Sequence, residues 1–174
     1  MTGTLQFNSI KVFVFDLDGV MTDGSLAILP DGEFIRTMDI KDGYALQHAV
    51  KKGYRVLVIS GSFSQPCLER FHYLGIKDVW MKVKDKRALL LSFLKDNSID
   101  PGEVMFMGDD LPDLEVMQSV GLPACPADAV SEIKSVSRYI SSKPGGKGCV
   151  REIIEKVLRA RNDWGIESTV ISSI

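Results

Sequence analysis

The amino-acid sequence predicts an α/β fold, a doubly wound parallel sheet with a small β-hairpin flap and no cap domain. Three observations predict it. Runs such as Val12-Phe13-Val14-Phe15 and Val56-Leu57-Val58-Ile59 are apolar at every position, as strands buried on both faces must be. Stretches of helical spacing alternate with these runs, which implies right-handed crossovers between parallel strands. Several of the runs stop on Asp, Ser or Gly, residues with which a chain leaves a strand.

The first strand spans Ile10 to Phe15 and ends abruptly at Asp16. Ser25 to Leu29, a Pro30-Asp31-Gly32 turn and Glu33 to Ile40 interrupt the rhythm and predict a projecting β-hairpin, a flap over about residues 24–40. Helical spacing from Lys41 to Lys52 stops at Gly53. Strand Tyr54 to Ser60 leads to helix Gln65 to Leu74, strand Asp78 to Met81 and helix Lys86 to Lys95. After the loop Asn97 to Gly102 come strand Glu103 to Met107, helix Leu111 to Val120 and strand Leu122 to Cys125. Helix Ala129 to Val136, strand Arg138 to Ile140 and helix Cys149 to Arg161 complete the series. Residues 1–162 are expected to form one domain, with 163–174 a tail lacking structure of its own. Gly145-Gly146-Lys147-Gly148 lacks P-loop spacing and reads as a flexible lead into the last helix.

Composition narrows the function classes. The net charge is −2 and no basic block occurs, so nothing marks a nucleic-acid partner. The longest apolar runs are strand-sized, far below the roughly 20 residues that a bilayer helix needs. The N-terminus shows no charged head followed by an apolar stretch, so a cytoplasmic protein is expected. Cys67, Cys125 and Cys149 are odd in number and widely spaced, which fits reduced packing residues. His48 and His72 fall on helices as surface or packing residues.

Doubly wound sheets bind ligands beyond the carboxyl ends of their strands. Asp16-Leu17-Asp18-Gly19, Ser60-Gly61 and Gly108-Asp109-Asp110-Leu111-Pro112-Asp113 all lie there, although far apart in sequence. Convergence would crowd five carboxylates, Asp16, Asp18, Asp109, Asp110 and Asp113, into one cleft. Such crowding raises pKa values and destabilises the fold unless a cation neutralises it. All-oxygen ligation suits magnesium. Helix and turn capping alone accounts for one such cluster, but poorly for two at strand ends.

At these residues the sequence resembles the haloacid-dehalogenase superfamily, whose first motif is an apolar strand running into D-x-D-G. Ser60, Lys86 and the Gly108-Asp109-Asp110-x-x-Asp113 cluster match its remaining motifs in order, and the likeness spans roughly residues 8–160. The resemblance implies a phosphatase. Asp16 would attack phosphorus, and Asp18 would protonate the leaving oxygen and later take a proton from water. Magnesium would be held by Asp16, the Asp18 carbonyl and Asp109, with Asp110 and Asp113 orienting its waters. Ser60 and Lys86 would bind phosphoryl oxygens. Lys82 and Lys84 lie beside Lys86, which the motif prefers. Members that act as ATP-driven pumps have threonine in place of Asp18, so an acid there favours turnover.

Between Asp18 and Ser60 only a hairpin and one helix fit, hence no cap domain. Within the superfamily the chain is most similar to the 3-deoxy-D-manno-octulosonate 8-phosphate phosphatases, capless homotetramers of lipopolysaccharide precursor synthesis. The matches include Asp39-Ile40-Lys41-Asp42-Gly43, Leu68-Glu69-Arg70 and Gly145-Gly146-Lys147-Gly148-x-Val150-Arg151-Glu152. The likeness implies that Asp39, Ile40, Lys41, Asp42, Gly43 and Arg70 contact the sugar acid, and that the C-terminus can reach a neighbour's site. Family members carry arginines where this chain has Gln47 and Ser62, two positions expected near substrate. That departure keeps phosphatases of nine-carbon sugar acid 9-phosphates (of the KDN or N-acylneuraminate type) as an alternative. A receiver-like phospho-signalling domain shares the acidic pocket, but its lysine comes last in the chain and its phosphoacceptor ends the third strand. A catalytically silent interaction module is the other rival, opposed by the intact set Asp16, Asp18, Ser60, Lys86 and Asp109.

Overall fold

The computed structural model describes residues 7–165, and its strands and helices alternate in the expected order. Strand β1 (Val12–Phe15) is followed by the two-residue strands β2 (Ala27–Ile28) and β3 (Phe34–Ile35), then helix α1 (Ile40–Lys51). Next come β4 (Arg55–Ile59), α2 (Gln65–Tyr73), β5 (Asp78–Trp80) and α3 (Lys86–Asp96). The series closes with β6 (Val104–Met107), α4 (Leu114–Met117), β7 (Leu122–Cys125), α5 (Ser131–Val136), β8 (Tyr139–Ile140) and α6 (Cys149–Ala160). Six strands form one parallel sheet in the order β5-β4-β1-β6-β7-β8.

The unbroken apolar runs have a simple cause. Alternate residues of β1, β4 and β6 enter two separate cores. Phe13, Phe15, Val56, Val58, Met105 and Met107 pack on one face against α1, α2 and α6. Val12, Val14, Leu57, Ile59, Val104 and Phe106 pack on the other against α3, α4 and α5. A sheet covered on both faces leaves its carboxyl edge as the natural opening. Register sets that edge: Phe15 lies between Val58 and Met107, so the residues that follow all emerge together.

Several expectations need correction. The hairpin is real but its pairing is only Ala27 with Ile35 and Ile28 with Phe34, plus a bridge from Thr22 to Met38. The continuous helix expected over Leu111 to Val120 is a 3-10 turn (Leu111–Asp113) running into the four residues of α4. Pro112 supplies no amide hydrogen there, and the Asp113 amide bonds three residues back to the Asp110 carbonyl at 2.9 Å. The Gly145-Gly146 segment is no flexible lead. The Gly146 amide donates to the Val20 carbonyl at 2.9 Å, and a Cβ on Gly145 would fall 1.9 Å from the Gly19 carbonyl oxygen. This segment therefore clamps the loop that follows β1.

The expected tail begins in contact with the fold. Trp164 meets the His48 ring edge-on at 5.0 Å, and Tyr54 donates a hydrogen bond to Asp163 at 2.6 Å. Residues 166–174 of that tail lie outside the described residues. All three cysteines are buried and unpaired, and among the described residues no helix is long and apolar enough to cross a membrane.

Candidate active site

Asp16 leaves β1 with its amide donating to the Met107 carbonyl at 3.0 Å, so the turn after β1 is pinned to the end of β6. There Asp16, Asp109 and Asp113 each offer a carboxylate oxygen, all within 4.8 Å of one another. Gly19 allows the approach. Its φ is +85°, and a Cβ on it would lie 2.0 Å from an Asp109 carboxylate oxygen.

Lys86, the first residue of α3, bridges two of the acids. Its Nζ lies 2.8 Å from Asp16 Oδ1 and 2.7 Å from Asp113 Oδ1. Asp113 is 1% exposed, and its other oxygen accepts from the Asp109 amide at 3.2 Å. Burial, with the charge of Asp113 adding to it and Lys86 opposing, pushes the Asp16 carboxyl up to about 7. Burial and the charges of Asp16, Asp113 and Asp110 likewise lift Asp109 to about 7. Asp113 is raised too, chiefly by burial against the pull of Lys86. Burial draws the Lys86 ammonium down, yet Asp16 and Asp113 outweigh it and hold it above the usual lysine value. One cation does not balance three carboxylates. The remaining negative charge, all on oxygen, fits a hard divalent cation held between Asp16 and Asp109.

Replacing Lys86 with Met is expected to cost about 3 to 5 kcal/mol at pH 8 in EDTA, since two buried carboxylates lose their partner. The cost shrinks at pH 5, where protons can neutralise them. Urea titrations of both proteins read this, and an unchanged midpoint at pH 8 would contradict it.

The cleft around these groups measures about 410 Å³. Asp18, Ser60, Ser62, Lys84 and Asp110 line it along with the acids and Lys86. The Ser62 hydroxyl donates to Asp18 Oδ2 at 2.6 Å and lies 3.1 Å from Ser60 Oγ. Asp110 is exposed and caps the 3-10 turn through the Leu111 amide. Lys84 rather than Lys82 lines the cleft; Lys82 lies over the Phe63 ring at 4.8 Å.

The remaining residues expected at the sugar do not line this cleft as the described residues form it. Asp39 caps α1, and Asp39 and Lys41 border a separate basic cavity of about 530 Å³ with Lys143 and Arg151. Asp42 is 3% exposed and accepts from the Arg151 amide at 2.7 Å, acting as a tertiary cap for α6, whose own N-cap, Gly148, has no side chain. Burial raises its carboxyl to about 6. Gly43 and Gln47 are buried beside it on α1, and Ile40 is exposed at that helix's start. The Arg70 guanidinium lies 6.0 Å from the Tyr73 ring on α2.

One functional group escaped the sequence reading. Arg36, just beyond β3, reaches the cleft-lining Asp18 and pairs with it at 2.6 Å. Nothing in a short hairpin of exposed residues signals that reach.

The profile of the haloacid dehalogenase-like hydrolases matches residues 71–153. The 3-deoxy-D-manno-octulosonate 8-phosphate phosphatase KdsC of Yersinia pestis is 30% identical over 154 residues, covering 88% of this chain and 82% of its own. The chain belongs to this phosphatase family. A solved family member from Moraxella catarrhalis, in complex with magnesium ion, phosphate ion and a KDO molecule, superposes with a TM-score of 0.87 at 31% identity, over 90% of each chain. The cobalt-bound family enzyme of Haemophilus influenzae gives 0.85 at 29% identity, over 90% of this chain and 91% of its own. Ions in two relatives agree with the charge imbalance found in this cleft.

Proposed function

We propose that this chain is a magnesium-dependent phosphomonoesterase that hydrolyses 3-deoxy-D-manno-octulosonate 8-phosphate to the free sugar acid and phosphate. The observation that carries the reading is the meeting of Asp16, Asp109 and Asp113 at one sheet edge with Lys86 between two of them. Magnesium, held by Asp16, Asp109 and the Asp18 carbonyl, would offset phosphate charge. Asp16, oriented by Lys86, attacks phosphorus and becomes an aspartyl-phosphate as the ester P–O bond breaks. Asp18 gives its proton to the departing alkoxide, then takes one from the water that cleaves the acyl-phosphate. Ser60 and Lys86 hold the phosphoryl oxygens.

The setting proposed is cytoplasmic lipopolysaccharide precursor synthesis, in keeping with three unpaired cysteines. The assembly proposed is a homotetramer built through the flap, residues 24–40, of a domain spanning 1–162. Ile28 is 72% exposed, and Phe34 and Ile35 about half, on a hairpin whose edges are open. Assembly would bring Asp39, Ile40, Lys41 and Arg70 to a neighbour's cleft.

Ser62 and Gln47, in place of arginines, favour a second reading, hydrolysis of a nine-carbon sugar acid 9-phosphate. A steady-state screen with magnesium separates them: eight-carbon, nine-carbon and hexose phosphates are compared by kcat/KM. The highest value is expected for the eight-carbon acid. Preference for hexose phosphates would overturn both readings.

A further inference from the structure

The flap exposes most of its side chains, yet one is drawn inward. Phe34, Ile35 and Thr37 are exposed, whereas the Arg36 side chain between them is 5% exposed. Its Nε donates to Asp18 Oδ1 at 2.6 Å, and its Nη2 lies 3.3 Å from both Asp18 Oδ2 and Ser62 Oγ. The Ser62 hydroxyl donates to that same Oδ2 at 2.6 Å and has Ser60 Oγ 3.1 Å away. Both oxygens of Asp18 are thus held, from two segments distant in sequence. The Asp18 hydrogen bonds outweigh the desolvation of Arg36 and keep its guanidinium above the usual arginine value.

Immobilising an arginine costs rotamer entropy. A bidentate grip on a carboxylate offsets that and fixes geometry that a lone point charge would leave loose. The Asp18 side chain itself is 32% exposed. Without these donors it would sample several rotamers at the cleft mouth.

We propose that Arg36 is a positioning residue: with Ser62 it holds the Asp18 carboxyl group in the orientation from which it meets the leaving-group oxygen, its grip passing to one carboxyl oxygen when the other carries the proton to be transferred. The proposal rests on the phosphatase reading above. It also makes the flap part of the reaction, because displacing the hairpin withdraws the donor that orients Asp18.

The test compares two substrates of the magnesium-loaded enzyme. A sugar-acid phosphate leaves as an alkoxide that needs a proton, whereas p-nitrophenyl phosphate leaves as a stable phenolate that does not. Arg36→Ala is expected to lower kcat/KM on the sugar phosphate by about 10- to 100-fold, with a several-fold smaller loss on p-nitrophenyl phosphate. Arg36→Lys should recover part of the difference, and guanidinium chloride below denaturing concentration should partly rescue Arg36→Ala. Ser62→Ala, the second variant should Arg36→Ala fold poorly, is expected to shift the same ratio by about 3- to 10-fold. Equal losses on both substrates in the folded variants, or no loss on either, would overturn the positioning role. A parent enzyme inactive on both would instead sink the phosphatase reading, and is seen before any variant is made.

Discussion

Asp16→Asn is expected to lower phosphate release from the preferred substrate by roughly four orders of magnitude or more, since the residue lost is the nucleophile of the first chemical step and the leaving group of the second. The variant should nonetheless fold well. Asp16 is 8% exposed and its carboxyl is held near 7 by burial and by the charge of Asp113. An amide of the same shape removes that repulsion and leaves Lys86 paired with Asp113 at 2.7 Å. In EDTA at pH 8 the variant should therefore melt at or above the parent's temperature, while in magnesium it releases almost no phosphate. Loss of activity with loss of fold would make the residue structural; equal turnover in the two proteins would reject the nucleophile.

The second large effect concerns magnesium, pH and stability together. Asp16 and Asp109 titrate near 7 in the folded, metal-free chain and near their ordinary value of 3.8 when unfolded. Between about pH 4 and 7 the folded state keeps protons that the unfolded state releases, so stability falls as pH rises through that window. The slope is about 1.4 kcal/mol per pH unit for each fully shifted group. Partial exposure of Asp109 and coupling between the acids reduce it, leaving roughly a few kcal/mol across the window. Magnesium removes the cause. At a hundred times its dissociation constant it adds about 2.7 kcal/mol, a melting-temperature rise of roughly 5 to 10 °C for a chain this size. That rise should be larger at pH 8 than at pH 5, where protons compete with the ion. Melting curves in EDTA and in magnesium across this range measure both effects, and a magnesium shift independent of pH would contradict the cluster's electrostatics.

Much of the fold was legible because its signal is local. The run from Val12 to Phe15 is apolar at every position since both of its faces are covered, and its sudden end at Asp16 marks the sheet edge. Lys86 is singled out from Lys82 and Lys84 by its match to the superfamily motif, and it stands as the first residue of α3. The parts that misled depend on distant partners. Asp42 resembles a loop acid poised for substrate, but it caps a helix more than a hundred residues later, across a contact with no local trace. Asp113 was expected to act at a remove through water, yet its burial against Lys86 and the Asp109 amide draws it into the cluster itself. The segment after Gly108 starts as a 3-10 turn, the Asp113 amide donating to the Asp110 carbonyl while its side chain accepts from Lys86. Arg36 was invisible for a different reason: a hairpin of exposed residues gives no hint which one folds inward.

A crystal structure of the protein grown with magnesium and beryllofluoride, a mimic of an acyl-phosphate, tests the central claim most directly. The account predicts the beryllium bonded to an Asp16 carboxylate oxygen, with one magnesium ion sharing the other Asp16 oxygen and Asp109. An adduct on any other residue, or an ion that does not touch both Asp16 and Asp109, would contradict it.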